Sequence, residues 1–260
     1  GALTIPRLYS PDHLKPSDTA TLGADNLRYL KSVLRLKPGD PLYVFDGFGN
    51  EHEARIESFG ADSVRVRLER RVERTDIHLR VTLAQAVPKA NKMDAIVKLA
   101  AELGVDEIIA FDAARTVSRM DGERAGAKAA RWGKIAAEAA RCTRSAYVAR
   151  VRGVLSFEDM LACAAPESAK WLFWEEENRR TIRDVLTEAR WKDAQSYFII
   201  VGPEGGLSKD EVRRAFDAGF VSVSLGRRIL KVETAAAAIL SMIQYEKGFF
   251  SHRFLTGEGD

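Results

Sequence analysis

The sequence predicts an α/β protein with a parallel sheet, preceded by a small all-β module, and three observations lead there. From Leu79 onward, apolar strand-like runs alternate with amphipathic helical stretches, the pattern of a parallel sheet with crossover helices. Before about residue 72 the chain reads instead as short strands and tight turns. Two glycine-rich runs, Gly202-Pro203-Glu204-Gly205-Gly206 and Leu225-Gly226-Arg227-Arg228-Ile229-Leu230-Lys231, each follow a strand and lead into a helix. A turn of that kind presents bare backbone on which a ligand can lie.

The early elements follow from local pattern. Leu42-Tyr43-Val44-Phe45 runs into the turn cluster Asp46-Gly47-Phe48-Gly49-Asn50, and Glu53-Ala54-Arg55-Ile56 returns. Val64, Val66 and Leu68 alternate with Arg65 and Arg67, so one face of that strand is apolar and the other cationic. So many strands and turns in residues 1–72 suggest a compact β-barrel. Arg65, Arg67, Arg70 and Arg71 read either as a solvated strand face or, as a cluster, as contacts to phosphates.

A polar junction at Glu73-Arg74-Thr75-Asp76 opens the second region, taken as residues 73–253 with a tail at 254–260. A strand from Leu79 to Val87 precedes a helix with Ile96, Leu99, Ala100 and Leu103 on one face, ended by Gly104. Ile108 to Phe111 is the next strand, and an Ala- and Arg-rich helix covers roughly 123–143. Lys170 to Trp174 is a strand and 179–190 a helix. Tyr197 to Val201 has the composition of a buried strand. Ser208 and Glu211 are spaced as a capping box, and Leu207 and Val212 as a hydrophobic staple, for a helix running to Ala218 and stopping at Gly219. Val221 to Leu225 alternates as a strand, and the last helix sets Ala236, Ile239, Leu240 and Ile243 on one face.

Composition narrows the function. A net charge of +3 over 260 residues excludes a bulk polycation but not local basic patches. No apolar run approaches a membrane span, and no signal-like stretch opens the chain. Cys142 and Cys163 fit reduced thiols in a cytoplasmic protein, and with four scattered histidines they offer no metal-like spacing. The Walker sequence is missing, and Gly47-Phe48-Gly49 is not a complete dinucleotide fingerprint. Ordinary ATP or NAD binding is therefore unsupported, and the glycine runs read either as ligand loops or as plain tight connections.

At these loops the sequence resembles the SPOUT methyltransferases, specifically the 16S rRNA uridine-N3 methyltransferase family. Lys92-Met93-Asp94, Ala101-Glu102-Leu103-Gly104-Val105-Asp106-Glu107-Ile108, and Gly39-Asp40 with Asp46-Gly47-Phe48-Gly49 resemble further segments of it, so the likeness covers essentially the whole chain. The resemblance implies a PUA-like RNA-binding barrel followed by a SPOUT domain whose chain end is threaded into a deep trefoil knot. It also implies a homodimer whose last helix completes the partner's site, with Phe249, Phe250 and Phe254 as apolar residues near that end.

The resemblance further implies S-adenosylmethionine as methyl donor and a uridine N3 in 16S rRNA of the small ribosomal subunit as acceptor. Adenine would meet Leu225, Gly226, Ile229 and Leu230. The ribose and methionine part would meet Val201, Gly202, Pro203, Glu204, Gly205 and Gly206, with Phe173, Trp174 and Glu175 as a third wall and Glu233, Thr234 and Ala235 at the helix start. Uridine N3 is protonated at neutral pH, so the site needs a base or cations that stabilise negative charge on O2 and O4. Arg228, Lys231 and Glu204 are the candidates for catalysis; Glu233 reads equally as a helix N-terminal carboxylate.

For RNA, Arg7, Arg28, Arg35, Lys89, Lys92, Arg115 and Arg119 are the candidates. Lys89 and Lys92 sit at a helix start, where the macrodipole disfavours cations unless an anion neutralises them; they also read as plain surface lysines. One stretch, Glu138-Ala139-Ala140-Arg141-Cys142-Thr143-Arg144-Ser145, departs from the family pattern of an acidic-Gln pair and a Gly-Arg. Two other readings stay open: an RNA-binding assembly protein with decayed activity, and a methyltransferase for a different RNA base.

Overall fold

The computed structural model describes residues 5–15, 19–73, 78–116 and 122–250. Arg119, Phe254 and the tail 254–260 lie outside the described residues. The chain divides into two compact units, one made of Gly1–Arg74 with Ala140–Val148, the other of Thr75–Ala139 with Ala149–Asp260.

In the first unit the order is β1 (Arg7–Tyr9), β2 (Thr19–Leu22), α1 (Ala24–Arg28), β3 (Pro41–Phe45), β4 (Glu51–Phe59) and β5 (Val64–Arg71). The five strands form one sheet, ordered β1-β3-β4-β5-β2, antiparallel except for β1 beside β3. The alternation of β5 is realised: Val64, Val66 and Leu68 are buried in a core with Leu8, Leu22, Leu30, Leu42, Val44 and Ile56. Two of its outward arginines are paired with carboxylates of β4. Arg65 pairs with Glu57 at 3.2 Å, Arg70 with Glu53 at 2.6 Å, and Arg55 of β4 with Glu69 at 3.0 Å.

Strand and turn patterns did not disclose α1 or the π-helical turn Tyr29–Val33 that continues it, closed by the Leu34 N–H on the Tyr29 carbonyl at 3.0 Å. Leu30 anchors that turn in the core, leaving Arg28, Lys31 and Arg35 exposed.

The second unit contains β6 (Arg80–Ala86), α2 (Lys92–Glu102), β7 (Glu107–Phe111), α3 (Gly122–Thr143), β8 (Arg150–Leu155) and α4 (Phe157–Ala162). It continues with β9 (Ala169–Phe173), α5 (Ile182–Thr187), β10 (Ser196–Val201), α6 (Lys209–Asp217), β11 (Val221–Val223) and α7 (Val232–Glu246). The last residues of α3 belong to the first unit. All six strands are parallel, ordered β11-β9-β10-β6-β7-β8. Alternate strand residues face opposite layers, so both faces are covered, as a parallel sheet requires. Ala84, Ile109, Leu172, Phe198 and Ile200 pack with Phe157 and Met160 of α4 and Val212 and Ala215 of α6. Elsewhere α7 packs on α2, α5 and β10.

The sheet grows from β6 to β8 in one direction, and then the chain places β9, β10 and β11 on the other side of β6. Such a reversal is where ligands bind in open α/β sheets, outside the carboxyl ends of the strands. The two glycine runs lie at those ends.

Candidate functional site: two glycine turns at the ends of a parallel sheet

The turn after β10 is held from several sides. The Gly206 N–H donates to the Pro203 carbonyl at 2.9 Å, and Gly206 takes φ +70°. A Cβ there would push the exposed Glu175 carboxylate aside and strain a backbone at that positive φ. Arg115 donates through Nη1 to the Gly205 carbonyl at 2.9 Å. The amide of Gln85, fully buried on β6, donates to the Ala86 carbonyl at 3.0 Å and reaches the Gly202 carbonyl at 3.4 Å.

Glu204 ties this turn to the loop after β6. Its carboxylate accepts from the Lys92 Nζ at 2.8 Å and from the Lys89 N–H at 3.2 Å. Partial burial pushes its pKa up, but the Lys92 hydrogen bond, backbone N–H groups and the Lys92 charge outweigh that and hold it below the usual carboxylate range. The same bond raises the Lys92 ammonium, with a smaller contribution from the nearby Glu233 charge. A cation at the first position of α2 is thus neutralised by a residue 112 positions away. The expected capping box on α6 is present, and Glu211 does more than cap: one oxygen accepts from Ser208 N–H at 2.8 Å and the other from Ala114 N–H at 2.7 Å. The loop after β7 is fixed to the start of α6 by that carboxylate.

The loop after β9 is braced to β11. Trp174 N–H donates to the Val223 carbonyl at 3.2 Å, and Ser224 N–H to the Arg180 carbonyl at 2.8 Å. Glu177 accepts from the Ser222 hydroxyl and from Arg179 N–H at 2.7 Å; these bonds outweigh burial and keep it ionised at lower pH than usual.

The turn after β11 is built differently. Gly226 takes φ +92°, and its N–H donates to the Ser224 hydroxyl at 3.1 Å. A Cβ on Gly226 would meet nothing within 4 Å. Arg227, Arg228 and Lys231 are exposed, and Ile229 is 98% exposed, an unusual position for a branched apolar side chain. Lys231 is the N-cap of α7 and contributes no side-chain cap, and in the first turn of α7 a buried carboxylate oxygen of Glu233, Oε2, has no hydrogen-bond partner.

Around these turns the structure gathers most of the predicted residues. Phe173 and Val201 are buried strand ends, Pro203 and Gly206 are buried, and Trp174, Gly202, Leu225, Leu230, Glu233 and Ala235 are half-buried. Glu175, Glu204, Gly205, Gly226 and Thr234 are exposed. Lys89 and Lys92 flank the loop after β6, while Arg115 caps the first turn. Gln85 and Glu177 were not foreseen; the only sequence signal for Gln85 was a polar residue inside the apolar run Leu79 to Val87.

The first unit holds Arg7, Arg28 and Arg35. Arg28 and Arg35 are exposed, Arg35 with φ +55°. Arg7 departs from the expected phosphate contact because its guanidinium is inside the fold. It is 10% exposed, pairs with Glu51 at 2.5 Å, donates to the Ala140 and Ser145 carbonyls at 3.1 and 2.7 Å, and lies over the Phe45 ring. That arginine fastens residues 140–148 to the sheet.

A parallel sheet with glycine turns at the carboxyl ends of two of its strands defines a class, the α/β domains that bind a ligand at that edge. The model of the RNA methyltransferase domain matches residues 75–244, and that of the RNA methyltransferase PUA domain matches residues 22–69. The chain is 34% identical to ribosomal RNA small subunit methyltransferase E of Mycobacterium tuberculosis, over 86% of this chain and 85% of that one. It is 30% identical to the enzyme of that name from Bacillus subtilis, over 90% and 92%. The crystal structure of the Neisseria gonorrhoeae ribosomal RNA small subunit methyltransferase E bound to S-adenosyl methionine superposes with a TM-score of 0.80 at 29% identity, covering 93% of this chain and 98% of that one. The chain belongs to the ribosomal RNA small subunit methyltransferase E family.

Proposed function

We propose that this protein transfers a methyl group from S-adenosylmethionine to N3 of a uridine in 16S rRNA, acting on the small ribosomal subunit. The observation that carries the proposal is the incomplete turn after β11. Open space at Gly226, the outward Ile229 and the unpartnered Glu233 Oε2 are three features that a ligand with an apolar ring and hydrogen-bond donors satisfies together. Leu225, Gly226, Ile229 and Leu230 would hold the adenine end; Gly202 to Gly206, Glu175 and the start of α7 would hold the rest. Bound there, S-adenosylmethionine supplies an electrophilic methyl group.

The chain's own residues deal with the uracil. As N3 gives up its proton and bonds to carbon, negative charge spreads to O2 and O4, and Arg228 and Lys231 are exposed cations on the turn that can meet it. Glu204 suits a different task from proton abstraction. A carboxylate already paired with Lys92 and held below its usual range is a poor base, and it serves as a clamp between the loops after β6 and β10. Lys89 and Arg115, exposed beside the first turn, are suited to backbone phosphates. The target base has to leave its stack to enter such a pocket.

The proposal includes a homodimer, supported by Met242, Tyr245, Phe249 and Phe250, exposed apolar residues on and just after α7. It includes the trefoil knot, supported by α7 returning from the edge strand β11 to pack on α2 and β10. It also places the enzyme in the cytoplasm with its ribosomal substrate; among the described residues no helix is long and apolar enough to cross a membrane, and no cluster of metal-ligating residues occurs.

The test is methyl transfer from labelled S-adenosylmethionine to small subunits lacking the modification, with the mark located by mass spectrometry. N3-methyluridine in 16S rRNA is the expected product. A mark on another RNA or base, or cofactor binding without transfer, would overturn the acceptor assignment; absence of cofactor binding would overturn the enzyme.

A further inference from the structure

The first unit carries an exposed aromatic pair that the proposed chemistry does not use. The rings of His13 and Phe48 are stacked, with centroids 4.2 Å apart and planes 21° from parallel. Both face solvent: the His13 side chain is 67% exposed and Phe48 is 58% exposed. Exposed apolar rings are common, but a parallel pair from two separate segments is not held together by burial here. It has to be held by its backbone.

One buried carboxylate does so. Asp46 is fully buried and accepts from Phe48 N–H at 2.8 Å, from Asn50 N–H at 3.2 Å and from the Asn50 amide at 2.7 Å on one limb of the pair. On the other limb it accepts from Leu14 N–H at 3.3 Å and lies 3.5 Å from His13 Nδ1. The glycines on either side of Phe48 fix the turn. Gly47 and Gly49 take φ +78° and +92°, and a Cβ on either would run into Val148 and Tyr9, or into Tyr147. Residues 146–148 lock this turn, through Gly49 N–H on the Ala146 carbonyl at 3.1 Å and Val148 N–H on the Gly47 carbonyl at 3.0 Å. Cations flank it: Arg71 donates to Asn50 Oδ1 at 2.9 Å, and exposed Lys15 follows His13 by two residues.

We infer that the His13–Phe48 pair is a stacking platform for an unpaired nucleobase, on which a single-stranded stretch of the RNA substrate is seated. A flat, preorganised aromatic surface flanked by cations is what a base with its phosphates requires. The platform gives a role to Gly47-Phe48-Gly49, which the catalytic site leaves unexplained. The inference rests on the RNA methyltransferase reading only for which RNA is bound.

The test uses the full-length protein, a single-stranded RNA oligonucleotide carrying 2-aminopurine, and the small subunit. Stacking on the platform should quench the fluorophore. Phe48→Ala and Phe48→Leu should each lower affinity for the oligonucleotide about tenfold and abolish the quench, while Phe48→Trp retains both. The salt dependence should stay unchanged, because no phosphate contact is removed. In methyl transfer, Phe48→Leu should raise KM for the subunit and leave kcat and cofactor affinity alone. Wild-type affinity and quench in Phe48→Leu would overturn the platform, even with methyl transfer intact. Weaker subunit binding with unchanged oligonucleotide binding would overturn it in favour of a protein contact. If the wild-type enzyme transfers no methyl group, the oligonucleotide arm still decides the platform independently.

Discussion

The two glycine turns share a strand–turn–helix plan but differ in how they are held. The turn after β10 is tied by Glu204 to Lys92 and Lys89, by Arg115 to Gly205, and is crowded by Glu175 at Gly206. The turn after β11 has one hydrogen bond from Gly226 to Ser224, open space where a Cβ would stand, and Ile229 almost wholly in water. One is preformed and the other has surface left for a ligand to cover. A site built this way has a rigid floor and a second wall whose stabilisation comes with the ligand, which places apolar burial on the binding step rather than on folding.

Changes to the open turn should therefore alter function and spare stability. The largest effect is expected from Arg228→Ala, which should slow single-turnover methyl transfer about a hundredfold with cofactor affinity and thermal midpoint unchanged. Next is Ile229→Ala. Removing an already exposed side chain should leave stability untouched, yet weaken S-adenosylmethionine binding about tenfold by calorimetry, because the ring it would cover is lost. A fall in thermal midpoint with unaltered affinity would erase the contrast between the turns.

Changes to the pinned turn should do the reverse. Gly206→Ala places a side chain at φ +70° and displaces Glu175, so it should destabilise the free protein by about 1–2 kcal/mol in denaturant melts. Gly226→Ala carries backbone strain without a collision and should cost less. Glu204→Gln should have the smallest effect, a fall in thermal midpoint of about 2 °C at neutral pH, since the partner lysine is well solvated. Its pH dependence has a definite sign. The folded carboxylate lies below its ordinary 4.5, so its stabilisation is complete above that value and disappears as the pH falls through the folded pKa. Wild type and Glu204→Gln should converge in acid.

The same division separates what the sequence disclosed from what it did not. Local rules sufficed for the strand ends, the Ser208–Glu211 capping box and both turns, because a cap or a β-to-α junction is decided by neighbours a few residues away. They missed α1 with its π-helical turn, whose short length and charged exposed face carry little periodic signal, and also β8 and α4. Long-range pairing was invisible. Arg7 reads as a surface cation until Glu51 and the Ala140 and Ser145 carbonyls are found around it. Lys92 reads either as an anion contact or as a surface lysine, and its pairing with Glu204 from another loop is not visible. Arg65 and Arg70 of β5 read as part of a cationic face until Glu57 and Glu53 of β4 are seen beside them.

Amide hydrogen exchange on the full-length protein, with and without saturating S-adenosylmethionine, tests the contrast most directly. The account predicts that amides of 226–231 exchange quickly in the free protein and become strongly protected by the cofactor, whereas those of 202–207 are slow already and change little. Equal protection of both turns in the free protein, or no response at 226–231 when the cofactor binds, would contradict it.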